Sequence, residues 1–191
     1  VTIKVVILDF DGTLVESNDI KDSAFEALYS DLPQWAEIRD YHLANNHTIR
    51  FEKFRAIDED ILGVKHTSER ARDLAARFQD LVVQAIVSAP WVTGAIELLD
   101  ALDAVGIRTY LLSMRCVKTE AIRDILAREG VSLSEAVMIG DSSEDAYAAD
   151  ECGVRFIGRD SGRGFSPDLE VYPDLLGVVS VLGLDTEASD G

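Results

Sequence analysis

Four short runs of sheet-forming residues, 3–8, 107–113, 136–139 and 154–157, alternate with helical stripes along this chain. Parallel strands need crossover connections, and apolar runs between turn residues suit strands buried on both faces. The alternation therefore predicts an α/β fold built on a parallel sheet. The helical stripes support it. Ala95, Leu98, Leu99 and Leu102 share one face after a start at Thr93 or Gly94, with Gly106 as a left-handed stop. Ile122, Ile125 and Leu126 share another, with Thr119 as the expected cap and Gly130 as the stop. Ser142 or Ser143 is expected to cap a third, which ends before Gly153.

Residues 16–89 carry almost no strand signal. Phe25 and Leu28 mark a helix that Pro33 should stop, and Phe51, Phe54, Ile57 and Ile61 mark a second. Leu74, Phe78, Leu81, Val82 and Ala85 mark the longest. A helical insertion of roughly seventy residues after the first strand is the economical reading. Residues 185–191 are small and acidic and are expected to fray.

Composition excludes several classes. A formal net charge of −17, with five Lys against twenty-one Asp, is unsuited to a phosphate backbone, so no nucleic-acid partner is expected. No apolar run reaches the length of a membrane span and no secretory signal opens the sequence, which predicts a cytoplasmic protein with no membrane partner. Cys116 and Cys152 lack ligand spacing and read as buried small hydrophobes. His42, His47 and His66 lack ligand spacing too and read as surface or packing residues.

Ligands of open parallel sheets gather at the carboxyl ends of the strands. There this sequence sets Asp9 and Asp11, then Ser113, then Asp141 and Asp145, with Lys118 just before a helix. One cation among four carboxylates suits an anion handled together with a hard divalent cation, and Mg²⁺ prefers such oxygens. Asp9 and Asp141 are the natural ligands, with Asp145 joining directly or through water. Asp9 is the candidate nucleophile toward phosphorus. Asp11, two residues along an extended chain, is the candidate acid and base. Gly12 allows a tight turn, Thr13 supplies a hydroxyl and a helix start, and Ser113 and Lys118 hold the transferring oxygens, with Met114 beside them.

Asp9-Phe10-Asp11-Gly12-Thr13-Leu14, Ser113, Lys118 and Gly140-Asp141-Ser142-Ser143-Glu144-Asp145 resemble the four motifs of the haloacid dehalogenase superfamily. The resemblance implies a Rossmann-like doubly wound core over residues 1–14 and 90–184 and an all-helical cap over 15–89. It also implies Mg²⁺ held in part by the Asp11 carbonyl, and phosphoryl transfer through Asp9. The phosphoglycolate phosphatase and β-phosphoglucomutase branch is the nearest likeness, which implies a small phosphorylated metabolite as substrate and a monomer or homodimer. A phosphomutase, or a non-catalytic binding protein on the same fold, is the alternative. Asn18, Lys21, Arg50 and Lys53 are the cap residues to test for substrate contact, although a solvated helix face is the simpler account of each. The sequence around Lys21 and Lys53 gives no sign of a lowered amine pKa. One departure from the family pattern stands out. Only five positions separate Ser113 from Lys118, where relatives carry a further helix and strand, and Arg115 is the alternative to Lys118.

Overall fold

The computed structural model describes residues 2–45, 48–112 and 117–184. The chain divides into two compact units, Val1–Glu16 with Pro90–Gly191, and Ser17–Ala89.

The first unit is a five-stranded, wholly parallel sheet of β1 (Val5–Asp9), β2 (Arg108–Leu112), β3 (Ala136–Gly140), β4 (Arg155–Arg159) and β5 (Val171–Tyr172). Their order is β2-β1-β3-β4-β5, so the strand order reverses between β1 and β3. That reversal is the switch point at which a Rossmann-like, doubly wound sheet opens a crevice at its carboxyl edge. β1 and β3 are buried throughout, and their alternate side chains serve the two faces. Val5, Ile7, Ala136 and Met138 pack on one face against Ile122, Ile125 and Leu126 of α6 (Lys118–Glu129) and Ala148, Ala149 and Cys152 at α7 (Ser143–Glu151). The helices α5 (Ala95–Ala104) and α8 (Leu175–Val181) pack on each other. Their approach depends on Gly94, at φ +83°, because a Cβ there would lie 2.7 Å from the Leu175 carbonyl carbon.

The second unit is helical: α1 (Ile20–Tyr29), α2 (Trp35–Ala44), α3 (Arg50–Ala56) and α4 (Ser68–Ser88), with a π-helical turn at Ile57–Ile61. Phe25 centres its core, with ring centroids 4.1 Å from His42, 5.1 Å from Phe78 and 5.5 Å from Phe54. The π turn carries Asp58, wholly buried, which His66 Nδ1 approaches at 2.7 Å and Arg70 at 2.8 Å. Among the described residues no helix is long and apolar enough to cross a membrane.

Several expectations need correction. The run 107–113 reads as a buried strand, yet β2 is an edge strand whose Arg108, Thr109 and Leu111 are exposed. At the edge of the sheet, hydrophobic composition outlasts the burial it usually signals. Thr13 begins no helix; residues 12–16 turn back on themselves and the first helix starts at Ile20. Thr119 is not a cap either, because α6 begins one residue earlier, after an extended Val117 with no side-chain cap. The stripe from Phe51 to Ile61 is broken by the π turn, whose extra residue rotates the face, and Phe51 is exposed. Cys152 is buried as expected, while Cys116 and His47 lie outside the described residues.

Candidate active site

Buried strands deliver the acidic residues. Asp9 ends β1 and Asp141 follows β3, on neighbouring strands paired in register from Val5↔Ala136 to Leu8↔Ile139. Asp145 lies in the first turn of α7. Each is almost wholly buried, and one carboxylate oxygen from each lies within 4.8 Å of the others.

Local chemistry explains how Asp145 reaches this place. Ser142 caps α7, its Oγ accepting from the Asp145 N–H at 3.3 Å, while Asp145 Oδ2 accepts from the Ser142 N–H at 3.1 Å and its Oγ–H at 2.6 Å. This reciprocal capping box directs the carboxylate back over the end of β3. Gly140 makes room for it. A Cβ on Gly140 would lie 2.5 Å from Asp145 Cβ and Cγ.

Lys118, the first residue of α6, joins the cluster. Its ammonium donates to Asp9 Oδ1 at 2.8 Å and to Asp145 Oδ1. Burial, reinforced by the Asp145 charge, pushes the Asp9 carboxyl from the usual 3.8 up to about 6, against the pull of Lys118. Burial also works against the charge on Lys118. The hydrogen bonds and charges of Asp145 and Asp9 outweigh it, and the ammonium is held above its ordinary pKa. Asp9 and Asp145 thus share one close ammonium, while burial and the neighbouring carboxylates disfavour the charged form of Asp9.

Two arginines at the same edge of the sheet are absent from the sequence reading. Arg163 extends from the loop after β4 to within 3.9 Å of Asp141. Arg159, the last residue of β4, is buried and donates to the Gly12 carbonyl at 2.8 Å and to Glu16. No motif marks either. Arg159 ends a strand as Asp9 does, but its burial against a turn 147 positions away has no local signature.

The other expected residues fall into three groups. Asp11 and Gly12 lie in the turn that leaves β1, half-buried and buried, and Thr13 is wholly buried with no partner for its Oγ1 among the described residues. Ser113, Met114 and the alternative cation Arg115 lie outside the described residues. Asn18, Lys21, Arg50 and Lys53 belong to the helical unit. There Lys21 is exposed and Asn18 half-buried, while the Arg50 guanidinium lies 5.0 Å from the ring centroid of Phe51 and 5.8 Å from that of Phe78. Lys53 is on no solvated face. Its ammonium is buried, donating to the His42 carbonyl at 3.3 Å and lying 3.3 Å from His42 Nδ1, whose Nε2 pairs with Asp22 at 2.8 Å. Burial lowers the pKa of Lys53 and likewise of His42, a signal that a single sequence does not display.

A cavity of about 730 Å³ opens at the opposite, amino end of the sheet, lined among others by Thr2, Ile107, Ser134 and Arg155. No member of the acidic cluster lines it. The chemistry belongs with the carboxyl edge, where charge and burial converge.

Solved structures share this architecture. The HAD-hydrolase YfnB of Bacillus subtilis, bound to magnesium, matches with a TM-score of 0.73 at 13% identity over 96% of this chain and 100% of its own. A predicted phosphoglycolate phosphatase of Haemophilus somnus matches with a TM-score of 0.68 at 17% identity over 94% and 97% of the two chains. CbbY of Rhodobacter sphaeroides, in complex with phosphate, matches with a TM-score of 0.66 at 17% identity over 97% and 100%. At these identities the likeness establishes the fold. No curated protein matches the sequence. The family model for haloacid dehalogenase-like hydrolases matches residues 64–159, which is 96 of the 191 residues. That span takes in α6 with Lys118 and the Gly140–Asp145 segment, and the chain belongs to the haloacid dehalogenase-like hydrolases.

Proposed function

We propose that this hydrolase is a Mg²⁺-dependent phosphatase of a small phosphorylated metabolite, working through a phosphoryl group carried on Asp9. The observation that supports this most is the trio of buried carboxylates, Asp9, Asp141 and Asp145, with Lys118 hydrogen-bonded to two of them.

The trio fits a hard divalent cation. Its donors are all carboxylate oxygens, buried and convergent, and burial first, then the Asp145 charge, disfavours the ionised form of Asp9 in a way that a bound cation would offset. Asp9, Asp141 and Asp145 would hold the ion, Asp145 directly or through water. Mg²⁺, when bound, supplies the positive charge that lets a phosphate dianion approach a carboxylate.

The remaining work falls to the chain. Asp9 forms a bond to phosphorus as the ester oxygen leaves, and Asp11 gives that oxygen a proton. Asp11 then takes a proton from the water that attacks the aspartyl phosphate, which frees Asp9 and inorganic phosphate. Lys118 already donates to Asp9 Oδ1, so its ammonium is fixed where charge accumulates on the transferring oxygens. The helical unit, residues 17–89, serves in this reading as the substrate-selecting cap. A phosphorylated metabolite as substrate agrees with the phosphate held by CbbY.

The test is phosphate release over a panel of phosphorylated metabolites, with Mg²⁺ and with chelator. Release confined to Mg²⁺ supports the reading and identifies the substrate class. Silence across the panel in folded protein refutes it.

A further inference from the structure

We propose that Arg159 and Glu16 form a positioning pair that holds Asp11 in the orientation proton transfer requires. The inference rests on the reading of Asp11 as acid and base.

The argument comes from where the polar groups of the turn are satisfied. The Phe10 carbonyl accepts from the N–H groups of Thr13, Leu14 and Val15 at 3.3, 3.0 and 3.3 Å. The Gly12 N–H donates to the Val15 carbonyl at 2.8 Å, the Leu14 carbonyl accepts from Val92 at 2.9 Å, and the Glu16 N–H donates to the Pro90 carbonyl at 3.0 Å. These bonds are all main-chain. The Gly12 carbonyl differs, because a side chain from the far end of β4 serves it: Arg159 NH1, at 2.8 Å.

That bond has a mechanical consequence for Asp11. Gly12 sits at φ +72° and, having no Cβ, is the residue of the turn whose two dihedrals move most easily. Its preceding peptide plane is held by the bond to Val15, and its following plane by Arg159 at 2.8 Å on the carbonyl side and by the longer 3.3 Å bond from the Thr13 N–H to Phe10 on the other. Fixing both planes fixes the direction in which the chain leaves Asp11. If the Arg159 bond is lost, the following plane keeps only the longer bond, and Gly12 can rotate and carry Asp11 with it.

Glu16 keeps Arg159 aimed. The guanidinium donates to Glu16 Oε2 at 3.0 Å from NH1, the nitrogen that also serves Gly12, and to Oε1 from NH2. A planar fork bound at two nitrogens by a carboxylate has one orientation. Lysine at this position has the charge without the fork, and glutamine at position 16 lacks the charge that holds it.

The experiment compares Arg159→Lys and Glu16→Gln with wild-type and with Asp11→Asn. Two phosphate esters are used, an alkyl phosphate, whose leaving oxygen needs a proton, and p-nitrophenyl phosphate, whose leaving oxygen does not. Displacing a catalytic group by an ångström costs on the order of 100-fold. Both positioning variants should lose about 10- to 100-fold in kcat/KM on the alkyl ester and little on the aryl ester, because kcat/KM reports the step in which the leaving oxygen departs and not the later hydrolysis common to both esters; Asp11→Asn should show the same split. A split in Asp11→Asn without one in either positioning variant overturns the inference and leaves the reading of Asp11 intact. No split in Asp11→Asn itself overturns that reading instead. A second measurement needs no turnover. Amide exchange over residues 10–15 should quicken in both variants while β3 stays protected, and unchanged exchange there overturns the inference whatever the assays show. The Glu16 side chain is 41% exposed, so Glu16→Gln tests the pair in a variant whose fold is not at risk.

Discussion

Replacing Asp9 by Asn should abolish turnover and, in metal-free buffer at neutral pH, make the protein more stable. The Asp9 carboxyl is raised from 3.8 to about 6, first by burial and then by the Asp145 charge. A carboxyl of raised pKa binds its proton more tightly in the folded chain than in the unfolded one. Stability therefore falls as pH rises through the window from about 4 to about 6, and the full penalty is felt above it. About two pKa units correspond to roughly 3 kcal/mol. Asparagine has no charge to bury, so Asp9→Asn should gain up to about 3 kcal/mol near pH 7.5, a rise in melting temperature of roughly 6–12 °C for a chain of this size. Near pH 3.5 Asp9 is mostly protonated in both states and the advantage should nearly vanish. Mg²⁺ at about 100 times its dissociation constant would return roughly 2.7 kcal/mol to wild-type alone, closing most of the gap. The assay is urea or thermal unfolding of both proteins in chelator at the two pH values, repeated with Mg²⁺. A variant no more stable than wild-type at pH 7.5, or an advantage that persists unchanged in acid, would refute the reasoning.

Gly140→Ala should displace Asp145, since the added methyl meets its Cβ and Cγ at 2.5 Å; a magnesium titration should show affinity lowered by about 10- to 100-fold, the range of supporting-shell losses, and an unaltered titration would speak against Asp145 as a contributor. Asp58→Ala should cost about 1–3 kcal/mol by taking the buried acceptor from His66 and from Arg70, whose half-exposed side chain keeps part of its hydration, read by chemical denaturation of the helical unit's signal, and no loss at all would contradict the assigned role. Lys53→Met should raise the melting temperature at neutral pH, because burial lowers the lysine's pKa and the unfolded chain binds its proton more tightly. The gain should shrink as pH climbs toward the unfolded lysine value of about 10.4, and a gain independent of pH would count against it.

Sheet and site were legible in different degrees. The buried strands were plain because β1 and β3 are apolar on both faces, a composition that helix periodicity does not produce. The ends of those strands gave Asp9 and Asp141 directly. Asp145 was read from its place after the third strand and in the Gly140–Asp145 segment, and the capping box that aims it is visible only in the structure. β2 was misjudged because composition reports a strand's hydrophobicity and says little of its neighbours. β5, at two residues, is too short for any periodic signal. Lys53 and Arg159 were out of reach for a common reason. Their burial comes from contacts between separate elements: Lys53 with Phe25 and His42, and Arg159 with a turn 147 positions away. Such pairings leave no trace in local pattern. The residues 113–116, where the second motif falls, lie outside the described chain, so Ser113 rests on the sequence alone.

Trapping the phosphorylated enzyme tests the central claim most directly. Protein mixed with a radiolabelled phosphate ester and Mg²⁺, quenched in acid during turnover and digested, should carry label on the peptide that contains Asp9, acid-stable and released by hydroxylamine. Asp9→Asn should carry none. Label on another peptide, or steady phosphate release by wild-type with no labelled peptide at any quench time, would contradict the account.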